Sequence, residues 1–268
     1  MQLTSLEQIN QQYRHIYFQP HFDDAILSAG GTIRLQTGTG QRVLIVTVFG
    51  GVPPPGTQLS PFASQQHQRM GLGMDAAEAV RRRREEDLAA AEVVAADILW
   101  LDYAEAIYRG TPVSYLSEEA LFGSVNAADL ALDEQLAGVC LNIAERAPLA
   151  ALYAPMGVGH HVDHQLCCSA ADRLAQRKLN VKFYEDFPYV RRPDALESRQ
   201  RELNIPMEPE MVEISGTIRA KEEAIAKYTS QVPMLFGGEE QMVAAVNDYA
   251  SSIRRAYPGI QVERCWRW

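Results

Sequence analysis

The chain has 268 residues with 25 Lys and Arg against 34 Asp and Glu, a net charge of −9, and is 47% hydrophobic and 22% charged. This excludes a disordered chain, a collagen-like repeat and a scaffold too small for a core, while the acidic balance argues against nucleic acid as a partner. Cys140, Cys167, Cys168 and Cys265 show no C-x-x-C spacing, residues 1–12 hold no basic-then-apolar leader, and no run reaches about 18 apolar residues, so a cytoplasmic protein without membrane insertion is expected.

In chain order, residues 15–19 (HIYFQ) are a short β-prone run ending at Pro20, and residues 25–35 read as a helix containing Gly30 and Gly31. Residues 43–49 (VLIVTVF) are a continuous β-branched run, the pattern of a central strand covered on both faces. Residues 50–74 turn to Gly, Pro, Ser and Gln, with Pro53, Pro54 and Pro55 in succession, too irregular for an element and long enough for a lid. Helical spacing over residues 76–96 leads into a strand at 97–101. The same alternation follows, with helix at 130–145, strand at 150–154, helix at 164–177 and strand at 181–184. It predicts an α/β fold, a Rossmann-like, mostly parallel sheet flanked by helices, with ligands gathering beyond the carboxyl ends of the strands. No repeat or linker divides the chain, so residues 1–268 are expected to form one domain.

That rule selects two loops. The first reads Pro20-His21-Phe22-Asp23-Asp24, where adjacent carboxylates repel unless a cation neutralises them, so a metal is one explanation and a helix cap by Asp23 or Asp24 another. The second reads Gly159-His160-His161-Val162-Asp163-His164; His161 and His164 share one face once a helix begins, and the competing reading is a solvated loop with Asp163 as cap. Imidazole with carboxylate suits zinc with three protein ligands and an open position for water, although iron(II) accepts the same donors.

His21-Phe22-Asp23-Asp24 and His161-Val162-Asp163-His164 together resemble the two signatures, His-x-Asp-Asp and His-x-Asp-His, of the LmbE-like or PIG-L family of zinc-dependent N-acetylglucosaminyl deacetylases. Similar stretches are Arg83-Arg84-Glu85-Glu86-Asp87 and, near the end, Lys221, Tyr228, Ser230 and Gln231, so the resemblance spans most of the chain. It implies the LmbE-like fold, with His21, Asp24 and His164 as zinc ligands and Asp23 as general base. It further implies that His161 stabilises the oxyanion or protonates the leaving amine, with Asp163 holding the other ring nitrogen of His161. Arg83 and Asp102 match positions that contact sugar in relatives. Arg83 lies in a four-arginine run, residues 81–84, that reads equally well as a solvated helix face. Glu185, in an acidic and aromatic stretch after the strand at 181–184, is a third candidate for substrate binding, with core packing as the alternative.

The expected activity is removal of an N-acetyl or other N-acyl group from an amino sugar, a small-molecule substrate. Rivals are a zinc amidase acting on a larger thiol- or lipid-linked conjugate and a non-catalytic metal- or sugar-binding module. Self-association into a homo-oligomer stays open. A dinucleotide oxidoreductase is disfavoured because the first loop holds acids where phosphate-binding glycines are needed.

Overall fold

The β-branched and aromatic runs separated by amphipathic stretches build a layered molecule, described over residues 1–254 and 259–268 of a computed structural model. The strands are β1 (Gln2–Leu3), β2 (Tyr13–Gln19), β3 (Arg42–Thr47), β4 (Asp97–Trp100), β5 (Ala151–Pro155), β6 (Val181–Tyr184), β7 (Glu208–Glu213) and β8 (Val262–Arg267). The helices are α1 (Asp24–Gly38), α2 (Pro61–Arg69), α3 (Ala76–Val93), α4 (Glu118–Leu121), α5 (Leu130–Arg146), α6 (Val162–Gln176), α7 (Ala195–Leu203), α8 (Ile218–Ile225), α9 (Val232–Phe236) and α10 (Glu239–Ser252). The sheet order is β1-β4-β3-β2-β5-β6-β8-β7, parallel as far as β6 and antiparallel at β8 and β7.

The order explains where ligands collect. From β2 the chain winds through α1 to β3 and through α3 to β4, whereas from β5 it winds the other way through α6 to β6. Right-handed crossovers therefore place α1 and α3 on one face and α6 on the other. The winding reverses between β2 and β5, opening a crevice beyond their carboxyl ends. Both motif loops leave those two ends. The inner strands are covered on both sides, and Ile16, Leu44, Ile45 and Ile98 are fully buried.

The predicted alternation is present, with boundaries shifted by a few residues. The expectation that residues 50–74 contain no element is corrected: they hold α2, because Pro61 occupies its first turn and the Ser60 hydroxyl accepts from the Ala63 amide at 3.0 Å. Phe62 and Ala63 then pack with Ile107, Tyr115 and Leu121 in a small apolar cluster beside the crevice. The edge strand β7 carries mainly exposed residues, so it has no hydrophobic run to announce it. No helix among the described residues is long and apolar enough to cross a membrane.

Helix α1 is braced from below. Ala29 has non-helical angles (φ −133°, ψ 17°), which creates a second helix start inside α1. Glu263 of β8 accepts from the amides of Gly31 at 3.0 Å and Thr32 at 2.7 Å and pairs with Lys221 Nζ at 2.7 Å. A Cβ on Gly31 would lie 2.8 Å from Ile214 Cδ1 and 2.9 Å from its Cβ. Gly31→Ala is therefore expected to destabilise the protein: overpacking costs about 1–3 kcal/mol, against a helix-propensity gain of about 0.5–1 kcal/mol. A lower urea midpoint checks this, and an unchanged midpoint counts against the packing argument.

Candidate active site

The first loop is closed by two hydrogen bonds: the Ala25 amide donates to Gln19 Oε1 at 3.0 Å and the His21 amide to Asp24 Oδ2 at 2.8 Å. Asp23 stands at the N-cap position of α1, yet its side chain caps nothing. Its carboxylate instead lines the cavity, 3.9 Å from the Arg83 guanidinium.

In the second loop His161, rather than Asp163, is the N-cap of α6. Its Nδ1 accepts from the Asp163 amide at 3.2 Å. In the neutral ring that bond assigns the proton to Nε2, leaving an N–H donor on the other side of the imidazole.

The carboxylates behind the histidines are distributed differently from the sequence expectation. His21 Nε2 donates to Asp163 Oδ2 at 3.0 Å, and Arg109 at 2.6 Å and the Ala106 amide at 3.0 Å hold the same carboxylate. The Asp163 carboxylate thus orients His21, not His161, and its backbone amide is what His161 receives. His164 Nδ1 donates to Asp186 Oδ1 at 2.6 Å. Each of His21 and His164 is therefore steadied by an acid on one nitrogen. Their other nitrogens converge on Asp24, with His21 Nδ1 3.3 Å from Oδ2 and His164 Nε2 3.4 Å from Oδ1.

His164 Nε2 is buried with no hydrogen-bond partner among the described residues. His21, His161 and His164 each offer a nitrogen within 4.8 Å of the others. An acid behind each imidazole is the usual support for a metal-ligating histidine. Tetrahedral donors at zinc bond lengths sit about 3.3–3.5 Å apart, the spacing these nitrogens keep from the Asp24 oxygens. The donor set fits a divalent cation.

The charges agree. Burial, followed by the neighbouring Asp24 carboxylate, pushes the Asp23 carboxyl up to about 6, with Arg83 and His21 pulling the other way. Burial also opposes ionisation of Asp24, but His164 and His21 overcome it and hold that carboxyl below the usual range. Burial and the adjacent His21 depress His161 well below an ordinary histidine, so it is neutral near pH 7. Against the burial penalty, Asp163 and Asp24 raise His21, and Asp24 and Asp186 raise His164, so the floor of the crevice favours positive charge.

A cavity of about 490 Å³ opens over these groups. Arg83 alone of residues 81–84 is buried, pairing with Glu105 at 2.8 Å, while the exposed Arg82 lies 3.8 Å from the buried Glu86. Arg83 Nε has no partner among the described residues. Asp102 does not join the site: its side chain is 92% exposed and meets Arg84 at 3.5 Å. Three residues on, Glu105 takes the place beside Arg83. Glu185 is buried on the other side of the sheet edge, bonded to Arg264, Tyr249 and Trp266, and does not line the cavity. Successive residues after β6 point to opposite sides, so Asp186, not Glu185, faces the histidines. His160 is turned outward to Glu202 at 2.9 Å. Sequence reasoning missed Asp186, Glu105 and Arg109; the acidic stretch after β6 was the only signal for the first.

Ser230 and Thr229 bind Glu86, and the Tyr228 hydroxyl reaches Asp87 at 3.3 Å, so the late polar stretch braces α3 against the crevice. Gln231 lines the cavity itself.

Comparison with known proteins supplies an independent reading. The family model "PIG-L: GlcNAc-PI de-N-acetylase" matches residues 16–175. The chain is similar to the 2'-N-acetylparomamine deacetylase of Niallia circulans, with 30% identity over 246 residues, 87% of this chain and 86% of that protein. Among solved structures it is similar to the zinc-inhibited form of the teicoplanin deacetylase Orf2, with TM-score 0.81, 25% identity and coverage of 94% of this chain and 97% of that one. It is also similar to the A40926 pseudoaglycone deacetylase Dbv21, with TM-score 0.72, 26% identity and coverage of 96% and 97%.

Proposed function

We propose, from the premise that the chain belongs to the PIG-L (GlcNAc-PI de-N-acetylase) family, that it is a cytoplasmic, single-domain zinc hydrolase removing an acetyl group from the nitrogen of an amino sugar. Relatives named for acetylparomamine and teicoplanin favour an amino sugar within an antibiotic or its precursor. The observation that carries the reading is the pair of acid-supported imidazoles, His21 with Asp163 and His164 with Asp186, whose remaining nitrogens flank Asp24 while Asp23 stays free beside them.

His21 Nδ1, Asp24 and His164 Nε2 are the residues that would hold the ion. A bound zinc ion supplies a Lewis acid that polarises the acetyl carbonyl and brings the acidity of water to about pH 7. Asp23 takes a proton from the attacking water as the new C–O bond forms at the acetyl carbon. His161 donates its Nε2 hydrogen to the carbonyl oxygen as negative charge develops there. The carboxylic proton on Asp23 then passes to the amine nitrogen as the C–N bond breaks, leaving a free amino sugar and acetic acid, which releases the second water proton to solvent as acetate. Arg83, which lines the cavity and pairs with Glu105, is placed to hold substrate hydroxyls and to keep Asp23 oriented.

Acetate release from a panel of N-acetylated amino sugars, before and after chelator treatment and zinc readdition, tests the reading. Turnover that the chelator abolishes and zinc restores is the expected result, whereas metal binding without turnover on the panel would support a non-catalytic module. Asp186→Asn should weaken metal binding by about 10–100-fold, since the acid fixes the ring of His164. Competition with a fluorescent chelator measures it, and an unchanged affinity removes His164 from the ligand set.

A further inference from the structure

Tyr189 has packed neighbours around its ring and, among the described residues, no hydrogen bond on its hydroxyl. It follows Pro188 in the turn at Tyr189–Arg191 and lines the cavity. Its ring meets His164 edge-on at 5.9 Å between centroids and Phe122 at 5.9 Å, and Phe122 in turn meets His161 at 5.3 Å. The Arg192 guanidinium lies 5.4 Å from the Tyr189 centroid. Gly159 completes the enclosure: with φ +91° and no side chain, it admits the tyrosine so closely that a Cβ there would sit 2.8 Å from both Cβ and Cγ of Tyr189. The ring is held by this packing, yet its hydroxyl makes no hydrogen bond among the described residues. Tyr189 is half-buried and lines the cavity, so a molecule bound there can supply the partner that a tyrosine O–H ordinarily finds.

We infer that Tyr189 is a substrate-contacting residue, donating its hydroxyl hydrogen to an oxygen of the bound acylated sugar, and that the bare backbone at Gly159 sets its position. The inference rests on the deacetylase reading. It adds a second neutral donor, beside the ring of His164, to the donor presented by His161. It also assigns a functional reason to a glycine inside the motif loop.

The test compares wild type, Tyr189→Phe, Gly159→Ala and the double variant, each loaded with zinc, in acetate release from the best N-acetylated amino sugar of the panel. Tyr189→Phe keeps the ring contacts, so its melting temperature and metal content should match wild type while kcat/KM falls by about tenfold, the scale of one lost hydrogen bond in a closed site. Gly159→Ala displaces the ring and should lose at least as much. If Gly159 acts through Tyr189, adding Tyr189→Phe to Gly159→Ala should cost little more, because both changes remove one contact. A Tyr189→Phe variant as active as wild type overturns the inference and leaves the deacetylase reading intact. Loss of metal or of thermal stability in that variant also overturns it, assigning the hydroxyl to the architecture of the site. A wild type that releases no acetate from any sugar removes the deacetylase reading and this inference together.

Discussion

Replacing Asp23 with Asn is expected to lower kcat by a factor on the order of 10²–10⁴, the usual worth of a general base, while the protein keeps its metal. Asn preserves the shape of the side chain and none of the three proposed ligands is touched, so the loss isolates proton transfer. In wild type the base works only when ionised. In the metal-free protein burial and then Asp24 push its carboxyl up to about 6, and a bound cation beside it pulls that value down, so kcat/KM should climb along an acidic limb that ends below about pH 6 and stay flat above it. This acidic limb should vanish from whatever activity Asp23→Asn retains. Stability carries the opposite sign. Between the ordinary value of 3.8 and about 6 the metal-free folded protein binds this proton more tightly than the unfolded chain, so the contribution of Asp23 to stability falls as pH rises through that window. Above it the penalty is complete, and Asn, which carries no charge, does not incur it. Metal-free Asp23→Asn should therefore melt no lower than wild type at pH 7. A variant that loses metal, melts earlier or keeps its turnover would remove Asp23 from the role of base.

The second large effect is expected at His161. Changing it to Ala should reduce kcat by a factor on the order of 10²–10³, equivalent to about 2.7–4 kcal/mol of barrier, by deleting the hydrogen-bond donor to the oxyanion. The substitution also removes the acceptor that caps α6, a loss of about 1 kcal/mol in stability, too small to account for the kinetic effect in a protein that remains folded. The acidic limb should survive, because Asp23 is still present and His161 is neutral across the working range. An imidazolium acting as general acid predicts something different: a basic limb in wild type that disappears in His161→Ala. Burial and the neighbouring His21 both disfavour that charged form, so the flat basic side is the expected profile. Rate profiles of the two proteins from pH 5 to pH 9 distinguish the assignments.

Much of this site was legible before any coordinates. The apolar run over residues 43–49 and the alternation of strand and helix imply a parallel sheet, and the rule that ligands gather beyond its strands points to the loops after the runs at 15–19 and 150–154. Those loops hold His21, Asp23, Asp24, His161 and His164, all of which the structure brings to one crevice. Local spacing sufficed because each motif lies within one turn of chain at the start of a helix.

Contacts between distant segments were decided by the tertiary structure alone. Asp163 lies two residues from His161, yet its carboxylate goes to His21, because the reversal of winding between β2 and β5 brings the two loops together. Glu185 and Asp186 are indistinguishable in composition, and only the strand end after Tyr184 determines which turns toward His164. Asp102 and Glu105 are likewise separated by the path of the loop beyond β4, which exposes one and folds the other onto Arg83. Helix α2 hid behind prolines, one of which starts it, and the antiparallel pair β7 and β8 had too little continuous apolar sequence to declare itself. A short motif encodes which groups stand together along the chain, whereas the partner that orients each group comes from another strand or helix. That choice depends on register and on which face a residue occupies, and both are set only when the sheet assembles.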